Sequence, residues 1–204
     1  MLSTSTSGYP AAVTESRPYH HGNLRQALVD QGLVVLRAAG VDGLSLRELA
    51  RDLGVSHAAP HRHFRDKQAL LEALAVEGFG LLGARLRAAA TGTDFRDRVR
   101  GVAAEYVTFA GAEAALLELM FAHQERHEPD VVGESAHAAF VWLLDLFREG
   151  EAAGVVPPGG AAPTATILLA TLQGLTALAN CGVVPVGDLG PLTDDAVRRL
   201  LAPR

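Results

Sequence analysis

Residues 45–67 read SLRELARDLGVSHAAPHRHFRDK, and the reactive side chains in this run are cations and hydrogen-bond donors, not nucleophiles. His57 and His61 stand four apart, so a short helix places them on one face, with Ala58 and Arg62 on the adjoining stripe. Such a face can meet base edges and thymine methyls in a DNA major groove about 12 Å wide, with phosphates at its rim. A second group, His123-Gln124-Glu125-Arg126-His127, has the i, i+4 histidine spacing that can chelate zinc, and His137 could be a third ligand. It is not H-E-x-x-H, because Gln124 stands where that motif carries its glutamate, and a solvated helix end is the default. The sequence contains no nucleophile elbow, phosphate-binding glycine loop or Cys/His cluster. Neither enzymatic activity nor a metal or other cofactor is expected, and a helical metalloenzyme using His123 and His127 is the alternative from another class.

The elements that would hold these residues are helices throughout, since strand-like alternation is absent. Apolar periodicity predicts helices over roughly 22–39, 46–53, 57–63, 67–90, 94–110, 113–125, 134–153, 163–180 and 194–202. Gly40, Gly54 and Gly154 follow apolar-periodic runs, where a left-handed C-terminal cap favours glycine. Ser45 and Glu48 have the spacing of a capping box, and Asp66 precedes the next long helix as its N-cap. With Gly54-Val55-Ser56 as a tight turn, residues 46–63 make a helix-turn-helix whose second helix can enter a groove. A helical hairpin with its polar residues merely in water is the competing account. The Gly-x-Ser turn, the His/Arg face and the local charge favour nucleic acid.

Charge is distributed unevenly over the 204 residues: Arg17–Lys67 carries +3 with five of the eight histidines, and the rest carries −8. With 49% of residues hydrophobic and 20% charged, the chain can bury a core and is not mainly disordered. The single cysteine, Cys181, excludes a disulfide framework, and its apolar neighbours predict a buried, inert thiol. The start, MLSTSTSGYPAAVTES, has no apolar core and reads as a disordered tail, not a secretory signal. No charged residue occurs from Ala152 to Gly187. The four threonines, Gln173 and Asn180 within 163–182, and the lack of flanking Lys/Arg clusters, favour a helix covered by neighbours or by another subunit over a membrane span. The division expected is a tail at 1–16, a helix-turn-helix domain at 17–66 and a helical body at 67–204.

Residues 20–76 resemble the DNA-binding domain of the tetracycline-repressor (TetR) family of bacterial regulators. The resemblance lies in Leu44-Ser45-Leu46-Arg47, Leu53-Gly54-Val55-Ser56, His63-Phe64 and Asp66-Lys67-x-x-Leu70-Leu71. It implies an all-α fold of about nine helices, homodimerisation through the last two long helices, and a C-terminal domain that binds a small effector. Carried over position by position, it implies a base or phosphate contact for Arg47, with Ser56 capping a recognition helix opened by His57, Ala58 and Ala59. It implies phosphate contacts for His61, Arg62, His63 and Lys67, and a backbone or minor-groove arm containing Arg17, Tyr19 and His20. Many relatives have tyrosine where this chain has His61. A subgroup often carries Trp-x-x-x-His-Gly in the last long helix, and the corresponding residues here are Leu169, Gln173 and Gly174, so only the glycine is kept.

In the body, Tyr106, Phe109, Met120, Phe121, Phe140, Trp142 and Gln173 are the inward-looking candidates for an effector pocket. Such a stripe is also what plain core looks like. A largely apolar ligand would suit these walls, with Tyr106 or Gln173 orienting it. The expected function is a cytoplasmic, dimeric repressor on double-stranded DNA, with no membrane partner, released from a pseudo-palindromic operator by that ligand. A family member that has lost DNA binding is the remaining alternative.

Overall fold

The computed structural model describes residues 24–122 and 131–202. They form α1 (Leu24–Ala39), α2 (Leu46–Asp52), α3 (Lys67–Ala89), α4 (Phe95–Ala112), α5 (Ala114–Ala122), α6 (Val131–Ala152), α7 (Ala161–Asn180) and α8 (Leu189–Leu200). Short 3-10 turns occupy Val41–Gly43, Pro60–Arg62 and Val186–Asp188, and no strand occurs among the described residues. The architecture is the expected one: an N-terminal helix-turn-helix followed by a larger helical part.

Each short N-terminal helix exists because its apolar stripe is buried. α1 buries Leu28, Val29, Leu33 and Leu36, and α2 buries Leu46, Leu49 and Ala50. A seven-residue helix is not stable alone, and burial of each leucine contributes about 1.5–3 kcal/mol, so packing holds α2 in place. The helix ends at Gly54, whose φ of 68° is in the left-handed region. There the Val55 N–H donates to Ala50 O at 2.9 Å and the Gly54 N–H to Arg51 O at 3.1 Å, the paired bonds of a Schellman turn.

Two local expectations are corrected. Ser45 has the extended backbone of an N-cap but makes no side-chain capping bond, and Glu48 lies 3.8 Å from Arg51 instead of reaching back. Residues 57–63 are not a regular α-helix: turns lead into a 3-10 segment at Pro60–Arg62. Pro60 has no N–H to bond the carbonyl of Ser56, and that carbonyl accepts from Ala59 at 2.9 Å, closing a tighter turn.

α3 is the connector. Asp66 caps it by accepting from the Ala69 N–H at 2.8 Å, and the helix then buries residues on most sides as it packs against α1, α4, α5 and α6. Two glycines permit the close approaches: a Cβ on Gly83 would lie 3.0 Å from Ala139 Cα of α6, and one on Gly78 would lie 2.7 Å from Met120 Sδ of α5. A single hydrophobic cluster therefore runs from Leu28 in α1 through Leu70 and Leu74 to Leu201.

α6 ends in a second cap that acts across a loop. Glu151 accepts from the Gly159 N–H at 2.8 Å and from the Ala161 N–H at 3.1 Å, satisfying a free donor at the start of α7. α7 is long and apolar enough to cross a membrane by length and composition, and most of it is uncovered, with Ile167 and Leu178 exposed. Cys181, expected to be buried, is exposed just beyond the end of this helix, where Leu178, Asn180 and Gly182 around it are exposed as well.

Candidate nucleic-acid interface

The recognition segment is anchored by two buried residues, Pro60 and Phe64. With these turned inward, Ser56, His57, Ala58, His61, Arg62 and His63 are exposed and Ala59 is half-buried. His63 faces solvent, and its neighbour Phe64 packs in the core. Arg47 is exposed on the first turn of α2, and Lys67 is half-buried as the first residue of α3. Arg17 and Tyr19, expected on an arm, lie outside the described residues, as does His20.

The basic side chains divide electrostatically. Arg51 lies 3.8 Å from Glu48 and 3.5 Å from Asp52, and Arg65 lies 3.3 Å from Asp66. Among the described residues, Arg47, Arg62 and Lys67 have no carboxylate partner, so their charge is available to phosphates. Arg25, absent from the expected set, also belongs here: its guanidinium sits 5.4 Å above the Phe64 ring, at the foot of the recognition segment. In the sequence it is one more exposed arginine of a helix, and only the fold carries it to this face. A cavity of about 430 Å³ lies between the start of α1 and the turn, lined by Leu24, Gly54, Ser56, Ala59, Arg62 and His63 among others.

The effector candidates fall into three places. Tyr106 is buried in α4 and donates to Gln173 Oε1 of α7. Burial pushes the phenol well above the ordinary tyrosine range, so it remains a donor. Phe121 and Phe140 both meet Phe79 edge to face, at 5.8 and 6.3 Å between ring centroids, and the nearby Met120 is buried. Phe109 and Trp142 lie under the guanidinium groups of Arg85 and Arg87 respectively, and the Trp142 indole donates to Ala139 O. His137 is exposed on α6, while His123 and His127 lie outside the described residues. No group of three or more metal-ligating side chains occurs among the described residues.

The helix-turn-helix has counterparts in known proteins. Residues 28–74, from α1 into the first turns of α3, match the family described as bacterial regulatory proteins, tetR family. The helix-turn-helix is a TetR-family domain. The tetracycline repressor protein class D of Escherichia coli is 43% identical over 53 residues, which are 26% of this chain and 24% of that protein. The chain thus aligns with about a quarter of the length of that curated relative. Over nearly its whole length it is similar to a protein of unknown function from Rhodococcus sp. RHA1, with 42% identity, a TM-score of 0.79, and coverage of 92% of this chain and 100% of that one. A putative TetR-family transcriptional regulator from Rhodococcus sp. shares the fold at 19% identity, with a TM-score of 0.65 and coverage of 87% and 98%.

Proposed function

We propose that the chain is a dimeric DNA-binding transcriptional repressor, released from a pseudo-palindromic operator by a small, largely apolar effector. The observation that carries this reading is the set of unneutralised cations, Arg47, Arg62 and Lys67, around an exposed turn held on a buried Phe64. Phosphate contacts from these residues fix the register on the duplex, while His57, Ala58 and Ala59 meet base edges. The helix-turn-helix domain ends at residue 66, and the body from Lys67 onward binds the effector and pairs two subunits in the cytoplasm.

The uncovered, uncharged face of α7 supports association of two copies. Two heads would then meet successive major grooves about 34–36 Å apart. The Tyr106–Gln173 pair and the Phe79–Phe121–Phe140 cluster offer an effector one polar contact within an aromatic wall. An effector that binds the spread form better than the DNA-competent form releases the operator, and DNA must weaken effector binding reciprocally.

Selection from a random DNA pool tests the proposal. Enrichment of an inverted repeat, bound by two subunits, is the expected result. Recovery of no preferred sequence at low salt would contradict it.

A further inference from the structure

Two features at opposite ends of the α7–α8 hairpin are complementary. At the turn, Val183 and Val186 are 68% and 72% exposed, the two most exposed large apolar side chains among the described residues. At the other end, a cavity of about 480 Å³ is walled by the Gly154–Gly160 loop, Pro163, Thr164, Ile167, Leu200 and Ala202. None of these wall residues is charged, and no charge interrupts the chain from Ala152 to Gly187. Between the two ends, the open face of α7 carries Ile167, Ala170, Gly174 and Leu178, and a Cβ on Gly174 would meet nothing within 4 Å.

We infer that in the dimer the Val183–Val186 turn of each copy seats in the cavity at the start of the other copy's α7. The inference rests on the dimer reading above. A two-fold axis makes an interface self-complementary, so a knob at one end of a helix requires a socket at the other. With the axis beside Ala170 and Gly174, two α7 helices cross antiparallel. Positions equally far from residue 172 then face one another along the helices, so the end of one α7, where the chain leads into the Val183–Val186 turn, lies beside the start of the other, where the cavity opens.

Surface area argues the same way. Helices of 20 and 12 residues present faces about 30 and 18 Å long and about 10 Å wide, together roughly 500 Å². A standard stable interface takes about 800 Å² from each partner, so the hairpin faces alone fall short. Turn and socket, used once in each direction, supply further apolar contact where both are otherwise left in water.

Cys181 is a built-in reporter of this arrangement. It lies nine residues beyond position 172, so the two copies of it stand about 27 Å apart along the helix axes. A disulfide needs Cα atoms within about 7 Å, so air oxidation of the wild-type dimer gives no covalent dimer.

The test uses the full chain with Cys181→Ser. Thr164→Cys and Val183→Cys are introduced singly and together, folding is checked by circular dichroism, and oxidised samples are run without reductant. The expected result is a covalent dimer as the main species for the double variant and none for either single variant. The two sites lie too far apart within one chain to pair internally. A dimer that cross-links through Val183→Cys alone, or that fails to cross-link in the double variant, overturns the socket and leaves the dimer intact. A monomer at micromolar concentration by sedimentation overturns the dimer reading and the socket with it.

Discussion

The Arg37 Nε–H donates to both carboxylate oxygens of Glu113, at 2.8 and 3.1 Å, across 76 positions of sequence. Arg37 is in the last turn of α1, and Glu113 stands between α4 and α5. The pair therefore ties the helix-turn-helix to the corner where α4 hands over to α5, whose Met120 packs on α3. The carboxylate bond raises the arginine's affinity for its proton, against a smaller opposing effect of burial. Because Glu113 is largely shielded and Arg37 only partly, the ion pair contributes on the scale of about 1 kcal/mol.

Arg37→Met and Glu113→Gln should each lower stability by about 1 kcal/mol, and the double variant should be no worse than either single one. Urea unfolding of the four proteins measures this coupling. Additive losses would show that the two residues act separately.

Tyr106 predicts an alkaline limb. Its folded-state pKa is raised by burial, so the stability it contributes is fully present below the unfolded tyrosine value of about 10 and is lost as pH rises above it. Stability measured from pH 8 to 11 should fall above about pH 10, and Tyr106→Phe should flatten that part of the fall. The same variant leaves Gln173 without its donor and should cost about 1 kcal/mol at neutral pH. An unchanged alkaline limb in Tyr106→Phe would mean that the phenol is not held in its neutral form by the fold.

Glu151 joins α6 to α7 through two backbone N–H groups. Glu151→Ala should cost about 1–2 kcal/mol, the range for loss of a helix cap with a second charge-assisted bond, while Glu151→Gln should retain part of it. Thermal unfolding distinguishes them. Equal midpoints for wild type and Glu151→Ala would contradict the capping role.

Much of this architecture is legible in the sequence, because burial and periodicity coincide. The stripe of α2, the Gly54 turn and the Asp66 cap could each be read from residue types at fixed spacing. The conformation of residues 57–63 could not, since a proline in a short helix can either open an α-turn or tighten it, and residue types at this spacing do not distinguish the two. Ser45 and Glu48 had the spacing of a reciprocal cap, but Arg51 competes for the same carboxylate. Arg25 and the Arg37–Glu113 pair depend on tertiary placement, which leaves no local signal. Cys181 is exposed despite its apolar flanks, because apolar neighbours in sequence do not guarantee a packed neighbour in space.

The central claim is that Arg47, Arg62 and Lys67 hold DNA phosphates, and the most direct measurement is the salt dependence of DNA binding. Fluorescence anisotropy between 50 and 200 mM salt should give a log–log slope that loses about 1.8 per dimer for each of Arg47→Ala, Arg62→Ala and Lys67→Ala, one phosphate per subunit. Arg51→Ala, whose charge is already met by Glu48 and Asp52, should leave the slope nearly unchanged. Equal slopes for wild type and the Arg47, Arg62 and Lys67 variants, or a larger loss for Arg51→Ala, would contradict the assignment of this face to DNA.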